Sequence, residues 1–389
     1  MNQISIQINQ FIRRANIYIN NMPSWLLAVI IAYAIHGVFV STFGRLIPYN
    51  SEFFALDTLK TVRPIKLLPN HTFFGWDGEH YRRLMDGYTH SVWPPLYPMI
   101  LKFFGYLIPS EKIRYEAGVQ IINFISHITF VIGIFAYSKE KNIASFNIFT
   151  IILLIFFFPG HSVFFAAYSE SLFLALTVWA FVFYLRKKYF LAGILCSLSV
   201  LTRYMGIFLA GAFLIVEAVL FIKDKKFIFR SFFASLIPLA TFFIWYFIAL
   251  YGLNSDIFNA SHEWRDALIQ NHVTPGMNPK LWVLQYLTWT GPGNTRLIFY
   301  LTVMGAILLY RRKMHVEFVY VALFLGSFAI SLYRPFPFTR FVSVLFPLVF
   351  VYASYINKNN YVRLFVVFVS IVYSEFMQIF LFKGWFGEP

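Results

Sequence analysis

Two carboxylates, Asp77 and Glu79, stand in the stretch His71 to Pro98, a polar and aromatic island in an otherwise apolar chain. Trp76 and Gly78 flank Asp77, and His80 and Tyr81 follow Glu79. A carboxylate in such company can serve as general base, taking the proton from a hydroxyl as its oxygen attacks. One base suffices when the leaving group is a phosphate, which departs without a protein acid, unlike glycoside hydrolysis with its two carboxylates. A structural task competes for the same residue. Asp77 lies one turn before Tyr81, at the expected start of a helix, where an Asp side chain caps a backbone N–H. The two tasks are compatible. The residues alone leave both tasks open for Asp77, and Glu79 is the other carboxylate in reach of the same chemistry.

A departing phosphate needs positive charge, and arginines supply charge-assisted hydrogen bonds without a metal. Arg203, Arg334 and Arg340 are the candidates, with Arg203 first. Arg334 and Arg340 bracket the turn RPFPFTR. There the leading expectation is snorkelling to lipid headgroups, and a phosphate-binding role is the alternative. Glu170 follows Tyr168 and Ser169 at a helix start, where it suits the helix dipole; pairing with Arg203 or with a sugar is its second role. His71, His80 and His90 match no compact metal motif such as HExxH, so no metal and no cofactor is expected, with a weak divalent-cation site as the alternative.

The elements that must position these residues belong to a membrane. A chain with 59% hydrophobic, 21% aromatic and only 13% charged residues is no water-soluble globule, whose charged share is about a quarter. The net charge of +15 reads as topology and contact with anionic lipid, not as nucleic-acid binding. The single cysteine, Cys196, excludes an internal disulfide and a thiolate metal cluster. Arg13 and Arg14 precede the first apolar run, which reads as an uncleaved anchor.

Eleven apolar runs approach spanning length: residues 25–43, 117–137, 143–158, 170–186, 189–202, 204–222, 230–251, 296–310, 316–333, 341–356 and 362–382. With eleven spans, Arg13/Arg14, Lys139/Lys141, Arg186 to Lys188, Lys223 to Lys226, Arg311 to Lys313 and Lys358/Arg363 all fall on one side, as the positive-inside rule requires. Arg203, Arg334 and Arg340 then fall on the other, against that bias. Pro95 to Ile108 is too short to span and is laid on the outer surface. The expected fold is thus an all-α polytopic membrane protein forming a single integral membrane domain over residues 1–389. Its two sizeable extracytoplasmic loops cover 44–116 and 252–295, the first carrying membrane-parallel helices. Tyr81, Leu84, Met85 and Tyr88 place an apolar stripe on the helix that begins at Asp77. His262 and Trp264 in the second loop could cover an acceptor, although an aromatic membrane belt explains them nearly as well.

The motif Trp76 to Tyr81 (WDGEHY), with a following Gly87-Tyr88 and Pro95 to Pro98 (PLYP), resembles the first-loop signature of the GPI mannosyltransferase 2 family, phosphatidylinositol glycan class V, and its bacterial relatives. Tyr168 to Phe173 (YSESLF) and Leu201 to Arg203 (LTR) resemble two later family segments in the same order. Trp93-Pro94-Pro95 and Tyr204 depart from the family pattern, the first where two aromatics commonly precede the proline, the second where a proline commonly follows LTR. The resemblance covers roughly residues 70 to 210. It implies a fold of the glycosyltransferase C superfamily and a mannosyl-type sugar transfer, with inversion, from a polyprenyl-phosphate donor to an acceptor hydroxyl on the extracytoplasmic face. Asp77 is then the catalytic carboxylate and general base, with Glu79 the nearest substitute if Asp77 serves only as a cap. Trp76, His80, Tyr81, Tyr168, Glu170, His262 and Trp264 are the expected substrate contacts, and Arg203, Arg334 and Arg340 the donor-phosphate contacts. The acceptor, whether glycan, lipid or protein, is not legible. A bacterial inner membrane is the expected location. Two alternatives have different chemistry: a non-catalytic transporter or flippase of lipid-linked saccharide, and a ligase using a pyrophosphate-linked donor. Transporters tend to show repeated halves and midplane polar groups, whereas here the polar residues concentrate in loops.

Overall fold

The computed structural model describes residues 23–46, 77–85, 93–108, 114–142, 145–158, 164–224, 229–253, 293–330 and 338–382. Within these the chain is helical. The helices are α1 (Ser24–Leu46), α2 (Asp77–Met85), α3 (Leu96–Tyr106), α4 (Arg114–Glu140), α5 (Ser145–Phe156), α6 (Glu170–Leu185) and α7 (Tyr189–Thr202). They continue with α8 (Gly206–Asp224), α9 (Phe229–Phe247), α10 (Gly293–Arg311), α11 (His315–Ile330), α12 (Phe338–Ser343), α13 (Phe346–Ile356) and α14 (Asn360–Phe382). A π turn, Ile248–Gly252, extends α9.

Helices occupy the described parts of the apolar runs, because a long apolar segment in lipid can satisfy its backbone polar groups only within itself, but the run 341–356, expected as one span, is divided between α12 and α13 at Val344 and Leu345. Five helices among the described residues have the length and composition to cross a membrane: Ser24–Phe43, Ala117–Glu140, Gly206–Lys223, Phe229–Gly252 and Asn360–Ile379. The chain is an integral membrane protein, helical through its described residues. Others, such as Glu170–Leu185, Tyr189–Thr202 and Phe346–Ile356, are apolar but shorter. Length follows position here: α6 is buried along most of its surface, and α4 and α7 pack against it. A helix enclosed by protein needs apolar residues all round but has no bilayer thickness to match. The expected run Pro95 to Ile108 is the separate eleven-residue helix α3, packed on α2 and α4.

The two ends of the bundle differ in charge. At one end Arg186, just after α6, donates to Glu140 at the end of α4 (2.8 Å), and Lys141 pairs with Glu317 at the start of α11. Lys187 (φ 59°) and Lys313 (φ 60°) take the left-handed position after α6 and α10. Each helix is closed there by a pair of backbone bonds, Lys187 N–H to Tyr184 O (2.9 Å) with Lys188 N–H to Phe183 O (2.8 Å), and Lys313 N–H to Tyr310 O (2.9 Å) with Met314 N–H to Leu309 O (3.0 Å). The opposite end, about 24 Å away along α6 at 1.5 Å per residue, carries Glu170, Arg203 and the head of α2. A smaller apolar cluster lies beneath it, built from Tyr81, Tyr97, Leu101, Tyr115, Val119, Ile122 and Ala167.

Candidate active site

The site is assembled on Glu170, the first residue of α6 and completely buried. Its Oε1 accepts from Arg203 Nη1 at 2.8 Å and also from Arg340 Nε. Both arginines are buried too, at 9% and 4% exposure, and each lies over an aromatic ring. The Arg340 guanidinium lies 4.4 Å from the Tyr168 ring centre, and that of Arg203 5.4 Å from Phe341. Two guanidiniums on one carboxylate leave the trio with a formal charge of +1. Glu170 Oε2 and Arg203 Nε are buried without a partner among the described residues, open valences of the kind that a ligand satisfies.

Each member is placed by a local device. Residues 164–169 run as a buried bend between α5 and α6. Asn123 of α4 holds this bend by donating to Ala166 O (2.8 Å) and accepting from Ser171 Oγ (2.8 Å). His127, one turn on, bonds Phe164 O through Nε2 (3.2 Å) and Tyr33 through Nδ1 (2.9 Å). A carbonyl can only accept, so Nε2 carries the proton and Tyr33 donates to Nδ1. Arg203 ends α7 in extended conformation, and the chain turns at once into α8. Gly206 makes that turn possible, since a Cβ there would lie 2.5 Å from Val200 N and 2.6 Å from Ser199 Oγ. Trp245 Nε1 donates to Tyr204 in the same turn (3.1 Å).

The head of α2 docks on this assembly. A Cβ on Gly78 would meet Ala167 Cβ at 3.0 Å and Ala167 O at 3.3 Å, so glycine allows the helix start to lie against the 164–169 bend. Tyr115 of α4 donates to Gly78 O. Tyr81 and Ser169 share a hydrogen bond of 2.9 Å, and Arg203 Nη1 donates to the same Ser169 Oγ at 3.2 Å. Polar groups thus run without a break from Tyr81 through Ser169 and Arg203 to Glu170 and Arg340. Tyr97 of α3 packs edge-on to Tyr81 (4.8 Å). Burial first, then the nearby Tyr115, Tyr81 and Glu170, push the Tyr97 hydroxyl well above the usual tyrosine range, so it remains protonated. Its oxygen has no partner among the described residues.

The helix spans Asp77–Met85, so Asp77 is its first residue, and Tyr81, Leu84 and Met85 face the apolar cluster, whereas Tyr88, expected in the same stripe, lies outside the described residues. The side chains of Asp77 and Glu79 lie outside the described residues, as do Trp76, Arg334, His262, Trp264 and nearly all of the 252–295 loop. His80 stacks on Trp93 at 4.1 Å, and Tyr168 is buried under Arg340. Arg340 corrects the snorkelling expectation: it points inward to Glu170, because a buried carboxylate offers a stronger partner than hydrated headgroups. Sequence reading did not single out Asn123, His127, Tyr97 or Tyr115. The first two carried a signal, being polar residues one turn apart within an apolar span. Among the described residues no three His, Cys, Asp or Glu side chains form a metal-holding group.

No family model and no curated protein matches this chain. Among solved structures it is similar to the crystal structure of the Archaeoglobus fulgidus oligosaccharyltransferase tethered with an acceptor peptide, at 12% identity and a TM-score of 0.45. The match covers 95% of this chain and 56% of that one, so the chain spans little more than half of that protein's length.

Proposed function

We propose that this protein is a membrane glycosyltransferase of the glycosyltransferase C type. It moves a sugar, mannose first, from a polyprenyl-phosphate donor to an acceptor hydroxyl on the extracytoplasmic face. The observation that carries the reading is the buried Arg203–Glu170–Arg340 trio beside the head of the Asp77 helix. Its net positive charge suits a lipid phosphate, and Glu170 holds the two cations together before the anion arrives, so little reorganisation is left for the reaction. Asp77, at the start of α2, acts as general base on the acceptor hydroxyl. The C1–O bond to phosphate breaks as the acceptor oxygen bonds to C1 from the opposite face, inverting the anomeric centre, and the phosphate leaves as an anion toward Arg203 and Arg340. The placement of the trio at the bundle end opposite the lysine-rich end agrees with an extracytoplasmic site.

The test is sugar transfer by detergent-purified protein from synthetic polyprenyl-phosphate mannose, then glucose, with donor hydrolysis scored as well. Asp77→Asn should lower turnover by about a hundredfold or more with the fold intact, the usual contribution of a general base. Arg203→Ala should weaken use of the donor. Full activity in Asp77→Asn would leave that residue only a helix-capping task.

A further inference from the structure

At the lysine-rich end of the bundle, a cavity of about 580 Å³ opens between the start of α7 and the start of α9. Its lining is two-sided in chemistry: Lys187, Lys188 and Arg230 supply three cations, while Phe190, Phe233 and Ile237 form an apolar wall. No carboxylate is among the described residues that line it. Two nearby cations at this end are already engaged, Arg186 by Glu140 and Lys141 by Glu317. Lys187 and Arg230, by contrast, have no carboxylate partner among the described residues, and the Lys188 ammonium lies only against the Phe183 ring, at 6.0 Å. Phe190 and Phe233 are 66% and 48% exposed, facing outward where the bilayer would be. Lys187 further occupies a left-handed backbone position (φ 59°), for which glycine is the low-cost residue. A cation stands there against the backbone preference.

We propose that this cavity binds an anionic phospholipid, the headgroup phosphate among Lys187, Lys188 and Arg230 and the acyl chains along Phe190, Phe233 and Ile237. A free phosphate would satisfy the cations but leave the apolar wall uncovered, and a zwitterionic lipid would cover the wall but leave net positive charge. Basic pockets between helices at the cytoplasmic interface commonly take anionic headgroups on these grounds. The proposal is independent of the glycosyltransferase reading, since the cavity lies at the end away from Glu170.

The experiment is lipid titration of the full-length protein in detergent, read by native mass spectrometry, with dioleoyl phosphatidylglycerol against dioleoyl phosphatidylcholine. The anionic lipid should bind at least about tenfold more tightly, and millimolar inorganic phosphate should not displace it. Lys187→Gly removes a charge while suiting the backbone at that position, and Arg230→Gln removes another from an exposed residue. Each should weaken binding about fivefold, and the pair roughly 25-fold, from the attraction of one Lys or Arg to anionic headgroups. Arg186→Gln, which alters net charge equally but outside the cavity, should change binding by less than about twofold. Equal binding of the two lipids, displacement by inorganic phosphate, or an equal loss in Arg186→Gln and Lys187→Gly would each overturn the proposal.

Discussion

Glu170→Gln tests the centre of the site, because it keeps the shape of the side chain and deletes the charge that two arginines share. In the native protein Glu170 is fully buried, and the Arg203 and Arg340 side chains it holds are 10% and 5% exposed. Removing one partner of a buried ion pair costs about 3–5 kcal/mol, because the remaining charge stays desolvated. Here one carboxylate serves two cations, so the upper part of that range applies. At roughly 2 °C per kcal/mol for a chain of this size, thermal unfolding in detergent should fall by about 10 °C. The charge arithmetic gives a sharper test. The trio changes from two cations and one anion to two cations in Glu170→Gln, and to one cation in Glu170→Gln/Arg203→Gln. The double variant should therefore recover part of the loss, with a coupling on the order of 1–3 kcal/mol. A polyprenyl phosphate should raise the melting temperature of Glu170→Gln more than that of the wild type, since its anion replaces the missing charge. Tryptophan fluorescence during heating reads all three. The reasoning fails if Glu170→Gln melts within a degree or two of the wild type, or if the double variant loses the sum of the single losses.

Three other substitutions probe the supports. Tyr97→Phe removes a buried hydroxyl with no partner among the described residues, so stability should hold or rise by up to about 1 kcal/mol; a drop of tenfold or more in sugar transfer would then mark the hydroxyl as a substrate contact, and unchanged transfer would assign it no such role. Asn123→Leu strands the Ala166 carbonyl and the Ser171 hydroxyl, at about 1–3 kcal/mol each, and by loosening the bend before Glu170 it should lower the turnover number; a melting temperature equal to the wild type would sink this account. Gly206→Ala forces backbone apart at Val200 and Ser199, which should cost about 1–3 kcal/mol and raise the KM for donor by displacing Arg203; an unchanged KM would show that the turn does not set the arginine.

Much of the helical plan was legible in the chain, because each apolar run had to become a helix in lipid whatever its neighbours. The α2 stripe was legible for a related reason: Tyr81, Leu84 and Met85 recur at helical spacing, a period that any half-buried helix imposes. How many runs cross the bilayer by themselves was not, since α6 is an enclosed helix whose length answers to its protein surroundings and not to membrane thickness.

The sequence alone determined that this is a helical membrane protein with a carboxylate-bearing helix starting at Asp77 and cations segregated by position, because composition, period and charge are local properties of the chain. Tertiary structure decided that Arg340 turns inward to a glutamate 170 residues earlier, that Ser169 links Tyr81 to Arg203, and that Asn123 holds the bend beneath them. Such pairings depend on which helices pack side by side and in what rotation. Local sequence does not encode that choice; the burial of many weak contacts at once selects it.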